Sequence, residues 1–124
     1  MEPIDLKTAR EMVARYKSTR KAVIDGHHGV NDTESTWLPI DKLKEFVNNL
    51  PPEATGVRIH FGVHDADHKD APHQTSVAIV GTVAGKRANE HIDAIQTDHA
   101  MAMEGSMLAL VNSGRDCPPA CPVA

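Results

Sequence analysis

The chain is predicted to fold as a single α+β domain in which a small sheet of two to four strands is packed by two amphipathic helices. Three observations predict it. Apolar and polar residues alternate along residues 57–64, a β-branched run follows at residues 75–83, and two earlier stretches, 5–23 and 39–50, carry apolar side chains at helical spacing. A length of 124 residues suits one domain. The domain is expected over residues 1–112, with a Pro- and Cys-rich tail over 113–124.

In residues 5–23, Leu6, Ala9, Met12, Val13 and Tyr16 form one apolar stripe on a helix of 3.6 residues per turn. Gly26-His27-His28-Gly29 punctuates the chain, and the polar stretch to Glu34 reads as an exposed loop. Residues 35–38 have the makings of a short strand. Pro39 suits the first turn of a helix, where its missing N–H costs nothing, and Asp41 complements the positive end of the helix dipole. Ile40, Leu43, Phe46, Val47 and Leu50 give that helix its apolar face, and Pro51-Pro52 ends it.

In the first long strand Val57, Ile59, Phe61 and Val63 alternate with Arg58, His60, Gly62 and His64, so one face is expected to be buried and the other polar. Residues 75–83 read as its partner, more deeply buried along Val77, Ile79 and Val83. The connection between them exceeds a tight turn and permits antiparallel pairing without requiring it. The C-terminal third is expected to be irregular or partly helical: Ile92, Ile95, His99 and Met103 fall in rough helical register over residues 90–103, and Gly105-Ser106 interrupts it.

The order of segments resembles a group of short Bacteroidota proteins with a Cys-Pro-Pro tail. The stretches that carry the resemblance are Thr36-Trp-Leu-Pro-Ile40, Gly56-Val-Arg-Ile-His-Phe-Gly62 and Gly114-Arg-Asp-Cys-Pro-Pro-Ala-Cys121. That group has no established activity, so the resemblance implies no functional residue.

Composition narrows the function classes. With one Trp, one Tyr and two Phe, the core must be aliphatic. A net charge of −4 disfavours a nucleic-acid partner, which needs clustered cations to neutralise phosphates. The basic residues Lys7, Arg10, Arg15, Lys17, Arg20 and Lys21 crowd the first helix without interleaved aromatics and read as a solvated face. No stretch approaches the ~18 apolar residues of a membrane span, and the N-terminus lacks the apolar run of a secretory signal. A cytoplasmic location with no membrane partner is the expectation, and there Cys117 and Cys121 would rest as thiols.

Two groups of residues have the composition of a metal site. Four of the eight histidines, His60, His64, His68 and His73, fall close together, with Asp65 and Asp67 among them. His60 and His64 share a strand face, so His60, His64, Asp67, His68 and His73 are a candidate ligand set at the strand's end for Zn or Cu. The alternative is a solvated polar face. A softer set comprises Met101, Met103 and Met107 after His99, with Cys117 and Cys121 as further ligands. Methionines that fill gaps in a core poor in aromatics are the alternative there. Pro118, Pro119 and Pro122 bias the tail toward extended backbone, so a Cys117–Cys121 bridge, which needs Cα atoms within about 7 Å, demands a turn at Pro119-Ala120 or a cis-proline.

Catalytic motifs are missing: there is no nucleophile elbow around Ser106, no Gly-rich phosphate loop and no His-Glu-x-x-His helix. No catalytic or cofactor-binding residue is assigned. The leading expectation is therefore a non-enzymatic protein that contacts copies of itself, as a homo-oligomer, or another protein, through open sheet edges, helix faces and its tail. Transition-metal binding is the alternative, and a thiol redox role for Cys117 and Cys121 is a third.

Overall fold

The computed structural model describes residues 2–94, 109–111, 115–118 and 121. Its element order is α1 (Leu6–Tyr16), a π-helical turn (Lys17–Lys21), α2 (Ala22–His28), β1 (Ser35–Trp37), α3 (Ile40–Asn48), β2 (Ala54–Val63), β3 (Thr75–Ala84), β4 (His91–Asp93), β5 (Ala109–Val111) and β6 (Arg115–Cys117). The α+β class and the two central strands follow the sequence expectation, and of the pairings the connection left open the strands take the antiparallel one.

The first helix starts where Asp5 caps it, its carboxylate accepting the Thr8 N–H at 2.7 Å. It runs five residues beyond the expected end at Val23. Thr19 Oγ1 and Ser18 Oγ both donate to the Arg15 carbonyl, and backbone widening over Lys17–Lys21 accompanies that competition. The helix stops at Gly29, whose φ of 63° is the left-handed cap that glycine adopts without strain. Gly26, His27 and His28 therefore belong to helix, not loop: a Gly inside the last turn is tolerated when a second Gly supplies the cap.

The stretch up to Glu34 is not the exposed loop its polarity suggests. Asp32 and Thr33 are buried. Asp32 accepts hydrogen bonds from Thr75 N at 2.7 Å and Thr75 Oγ1 at 2.6 Å, while its own N–H donates to Asp25 Oδ1 at 2.6 Å. Lys21 is buried beside them, its Nζ 2.6 Å from Asp25 Oδ2 and 2.7 Å from Asn31 Oδ1. The hydrogen bond from Lys21 and then that from the Asp32 N–H hold the Asp25 carboxyl below its ordinary range.

β2 and β3 pair antiparallel from Ala54↔Val83 to Val63↔Thr75, with a bulge between Ala54 and Gly56. β4 and β5 both pair antiparallel with β3, β4 at Thr82–Ala84 and β5 at Ala78–Val80. Residues 91–93 are thus strand, where weak helical periodicity suggested helix. The rest of that expectation, residues 95–103, lies outside the described residues. β1 and β6 form a separate two-stranded sheet with Ser35 opposite Cys117, so residues 115–117 of the expected tail are paired with β1.

The core lies under α3. Phe46 packs on Ile79, with Leu38 and Leu50 against them. Gly81 permits this approach, because a Cβ there would stand 2.4 Å from Leu50 Cδ2. The β2 side of the same sheet face is exposed. Val57, Ile59, Phe61 and Val63 were expected to be buried, yet all are exposed, Phe61 at 84%. None of the residues of α1 is buried either.

Candidate functional site

The β2–β3 pair has two faces of different chemistry. On the polar face, Arg58 and His60 of β2 stand opposite Val80 and Ala78, while Asp93 of β4 flanks Thr82. These positions bring three ionisable groups together. Arg58 Nη1 and His60 Nε2 both meet the Asp93 carboxylate, His60 at 2.7 Å, and Arg58 Nη2 also donates to the His91 carbonyl at 2.7 Å. Thr55 Oγ1 extends the network to Thr82 Oγ1 and His91 Nδ1, each at 2.9 Å. Burial pushes the Asp93 carboxyl up, but the hydrogen bonds from His60 and Arg58 and their charges outweigh it, so its pKa lies below the ordinary value.

A carboxyl with a lowered folded-state pKa stabilises the fold above its unfolded value, and that contribution is lost as pH falls through the folded value. Acid titration monitored by thermal melting should therefore show wild type losing stability below about pH 4 more steeply than Asp93→Asn. Parallel curves would mean that the ion pair contributes nothing to the acid limb.

At the far end of β2, His64 continues the polar face and is nearly buried. Its Nε2 lies 2.8 Å from Asp116 Oδ2, and its ring stacks on that of His68 with centroids 3.8 Å apart. Asp116 also accepts from Thr36 Oγ1 in β1 and from Ser76 Oγ in β3, so one carboxylate ties both sheets together. His68 Nδ1 accepts the Ala71 N–H at 2.9 Å. The Asp67 N–H donates to Asp65 Oδ1, and His73, at a φ of 59°, donates its N–H to the Asp65 carbonyl at 3.3 Å.

The histidine set proposed from the sequence is therefore divided between two carboxylates, Asp93 for His60 and Asp116 for His64, with His68 stacked on His64 and Asp67 and His73 in loop turns. Among the described residues, the group whose ligand atoms lie within 4.8 Å of one another is Glu34, Cys117 and Cys121. The two cysteines form a disulfide with Cα atoms 4.5 Å apart, and the Cys117–Pro118 peptide is cis, one of the two arrangements that the intervening prolines allow. The sulfurs are bonded to each other, where the sequence alone suggested thiols. His99, Met101, Met103 and Met107 lie outside the described residues.

Asp93, Asp116 and Glu34 were not singled out in the sequence. Their partners are 33, 52 and 83 positions away, so no local pattern joins them.

On the apolar face, a groove of about 1180 Å³ separates the sheet from the π-helical turn and α2. Ile59, Phe61, Val77 and Ile79 form its floor, and Tyr16, Thr19 and Val23 its helical wall. Among the described residues no helix is long and apolar enough to cross a membrane. The chain matches no family model, no curated protein and no solved structure.

Proposed function

We propose that this domain acts by self-association, with α1 of one copy lying across the open apolar sheet face of a second. The observation that carries the reading is the exposure of Val57, Ile59, Phe61 and Val63 along one strand face. Monomeric soluble proteins rarely leave a contiguous apolar patch of this kind uncovered.

The chain supplies a matching surface. Leu6, Met12 and Val13 of α1 are exposed on an amphipathic helix with no buried residue, so among the described residues this part of the stripe is left uncovered. Together with Ile4, these residues and the four on β2 give each copy both halves of a reciprocal interface. A reciprocal exchange buries both surfaces at once around a two-fold axis.

Sedimentation analysis over a concentration series tests this reading. Wild type should associate to a dimer, and Phe61→Asp should weaken association about 30-fold or more while leaving the far-UV circular dichroism unchanged. Val13→Asp should act in the same direction from the helix side. A wild type that stays monomeric, or a Phe61→Asp variant that still dimerises, overturns the proposal.

A further inference from the structure

We propose that reduction of the Cys117–Cys121 disulfide creates a site for one thiophilic divalent cation of the Zn2+ class, held by the two thiolates and the Glu34 carboxylate. The ligand atoms are already gathered. Glu34 Oε1 lies 3.5 Å from Cys117 Sγ, and Cys121 Sγ falls within the same 4.8 Å group. Tetrahedral zinc with bonds of about 2.3 Å to sulfur and 2.0 Å to oxygen sets S···O edges of ~3.5 Å and an S···S edge of ~3.8 Å. The first edge is present. The second requires the sulfurs to part once their bond is cut.

The backbone holds Glu34 and Cys117 in that relation. Ser35 pairs with Cys117 across β1 and β6, and the Glu34 N–H donates to the Cys117 carbonyl. Gln74 Nε2 donates to the Pro118 carbonyl at 2.8 Å and to Thr33 Oγ1 at 3.1 Å, bracing both sides of the site. Cys121 is exposed, which gives a reductant access and leaves the fourth coordination position to solvent.

Charge decides between metal binding and thiol exchange. In an exchange centre, attack on the exposed Cys121 sulfur would expel Cys117 as a thiolate. Cys117 is 2% exposed, so an attacking thiol reaches only the Cys121 sulfur of the pair. The two thiolates and Glu34 together carry up to three negative charges, with Lys17 Nζ 3.5 Å from Glu34 as a half-exposed counter-charge. A divalent cation offsets this charge directly, and two sulfur donors select zinc-like ions over Mg2+ or Ca2+. The step balances: a dithiol supplies two electrons and two protons and closes to its own disulfide, Cys117 and Cys121 become thiols, and metal binding releases those two protons to water.

The test uses the full chain reduced with a phosphine, which does not compete for metal as a thiol would. Co2+ titration should show one ion per chain with a thiolate-to-cobalt charge-transfer band that Zn2+ abolishes. The oxidised chain should take up none. Glu34→Gln should weaken Zn2+ at least about tenfold in competition with a chromophoric chelator, and Cys121→Ser should diminish the charge-transfer band. If reduction loosens the fold, Zn2+ should restore the circular dichroism of wild type and not of either variant. Absence of the band in the reduced chain, equal uptake by the oxidised chain, or unchanged affinity in Glu34→Gln overturns the proposal.

Discussion

Phe46→Ala should destabilise the domain by about 3–5 kcal/mol, the range for removing a fully buried aromatic ring. Phe46 is 0% exposed and forms the buried cluster with Ile79, with Leu38 and Leu50 at its edge. The other rings cannot take its place: Phe61 and Trp37 are exposed, and Tyr16 is half-buried with its hydroxyl donating to the Thr33 carbonyl. Small domains hold only about 5–15 kcal/mol in total, so this one truncation removes a large share. Urea unfolding should show the midpoint falling sharply at unchanged slope. Phe61→Ala is the control. The same chemical change at an exposed ring should shift monomer stability by no more than about 0.5 kcal/mol, measured at concentrations below association. Equal losses at the two positions would place the core elsewhere.

The contrast between the two phenylalanines also explains what was legible in the sequence. Both sit at regular apolar positions, Phe46 in a 3.6-residue pattern and Phe61 in a two-residue pattern, and both patterns gave the correct element. Periodicity reports which face of an element must be covered. It does not report whether this chain supplies the cover. For α3 the cover is β3, whereas among the described residues Val57, Ile59, Phe61 and Val63 of β2 and Leu6, Met12 and Val13 of α1 stay exposed, and that is the ground for the proposed self-association.

The polar groups were less legible for a related reason. His60 and His64 were correctly placed on one face, but each is engaged by a carboxylate from a strand far along the chain. Asp93 lies in a segment whose weak periodicity suggested helix, and its pairing to β3, with Arg58 and His60 on its carboxylate, outweighs that local preference. The disulfide was legible only as a condition on the prolines between the cysteines.

Asp32→Ala should cost about 3 kcal/mol, because it leaves the two half-buried Thr75 donors without their acceptor. The Asp32 carboxylate is the acceptor for both the N–H and the hydroxyl of Thr75 at the start of β3, and the residue is 1% exposed. Its removal leaves the Thr75 N–H facing a cavity and loosens the join between the end of α2 and the sheet. Asp32→Asn separates charge from connectivity. The side-chain oxygen can still accept the Thr75 N–H, and the hydroxyl, being able to accept as well as donate, can turn to meet the new amide. Asn should therefore lose less than half of what Ala loses. A double-mutant cycle with Thr75→Val should return a coupling of about 1–2 kcal/mol, since contacting groups in one network are not additive. Additive losses would mean that Asp32 acts through the Thr75 N–H alone, because Thr75→Val removes the hydroxyl and keeps that donor. Either outcome identifies how a polar stretch that reads as a loop becomes the hinge point between helix and sheet.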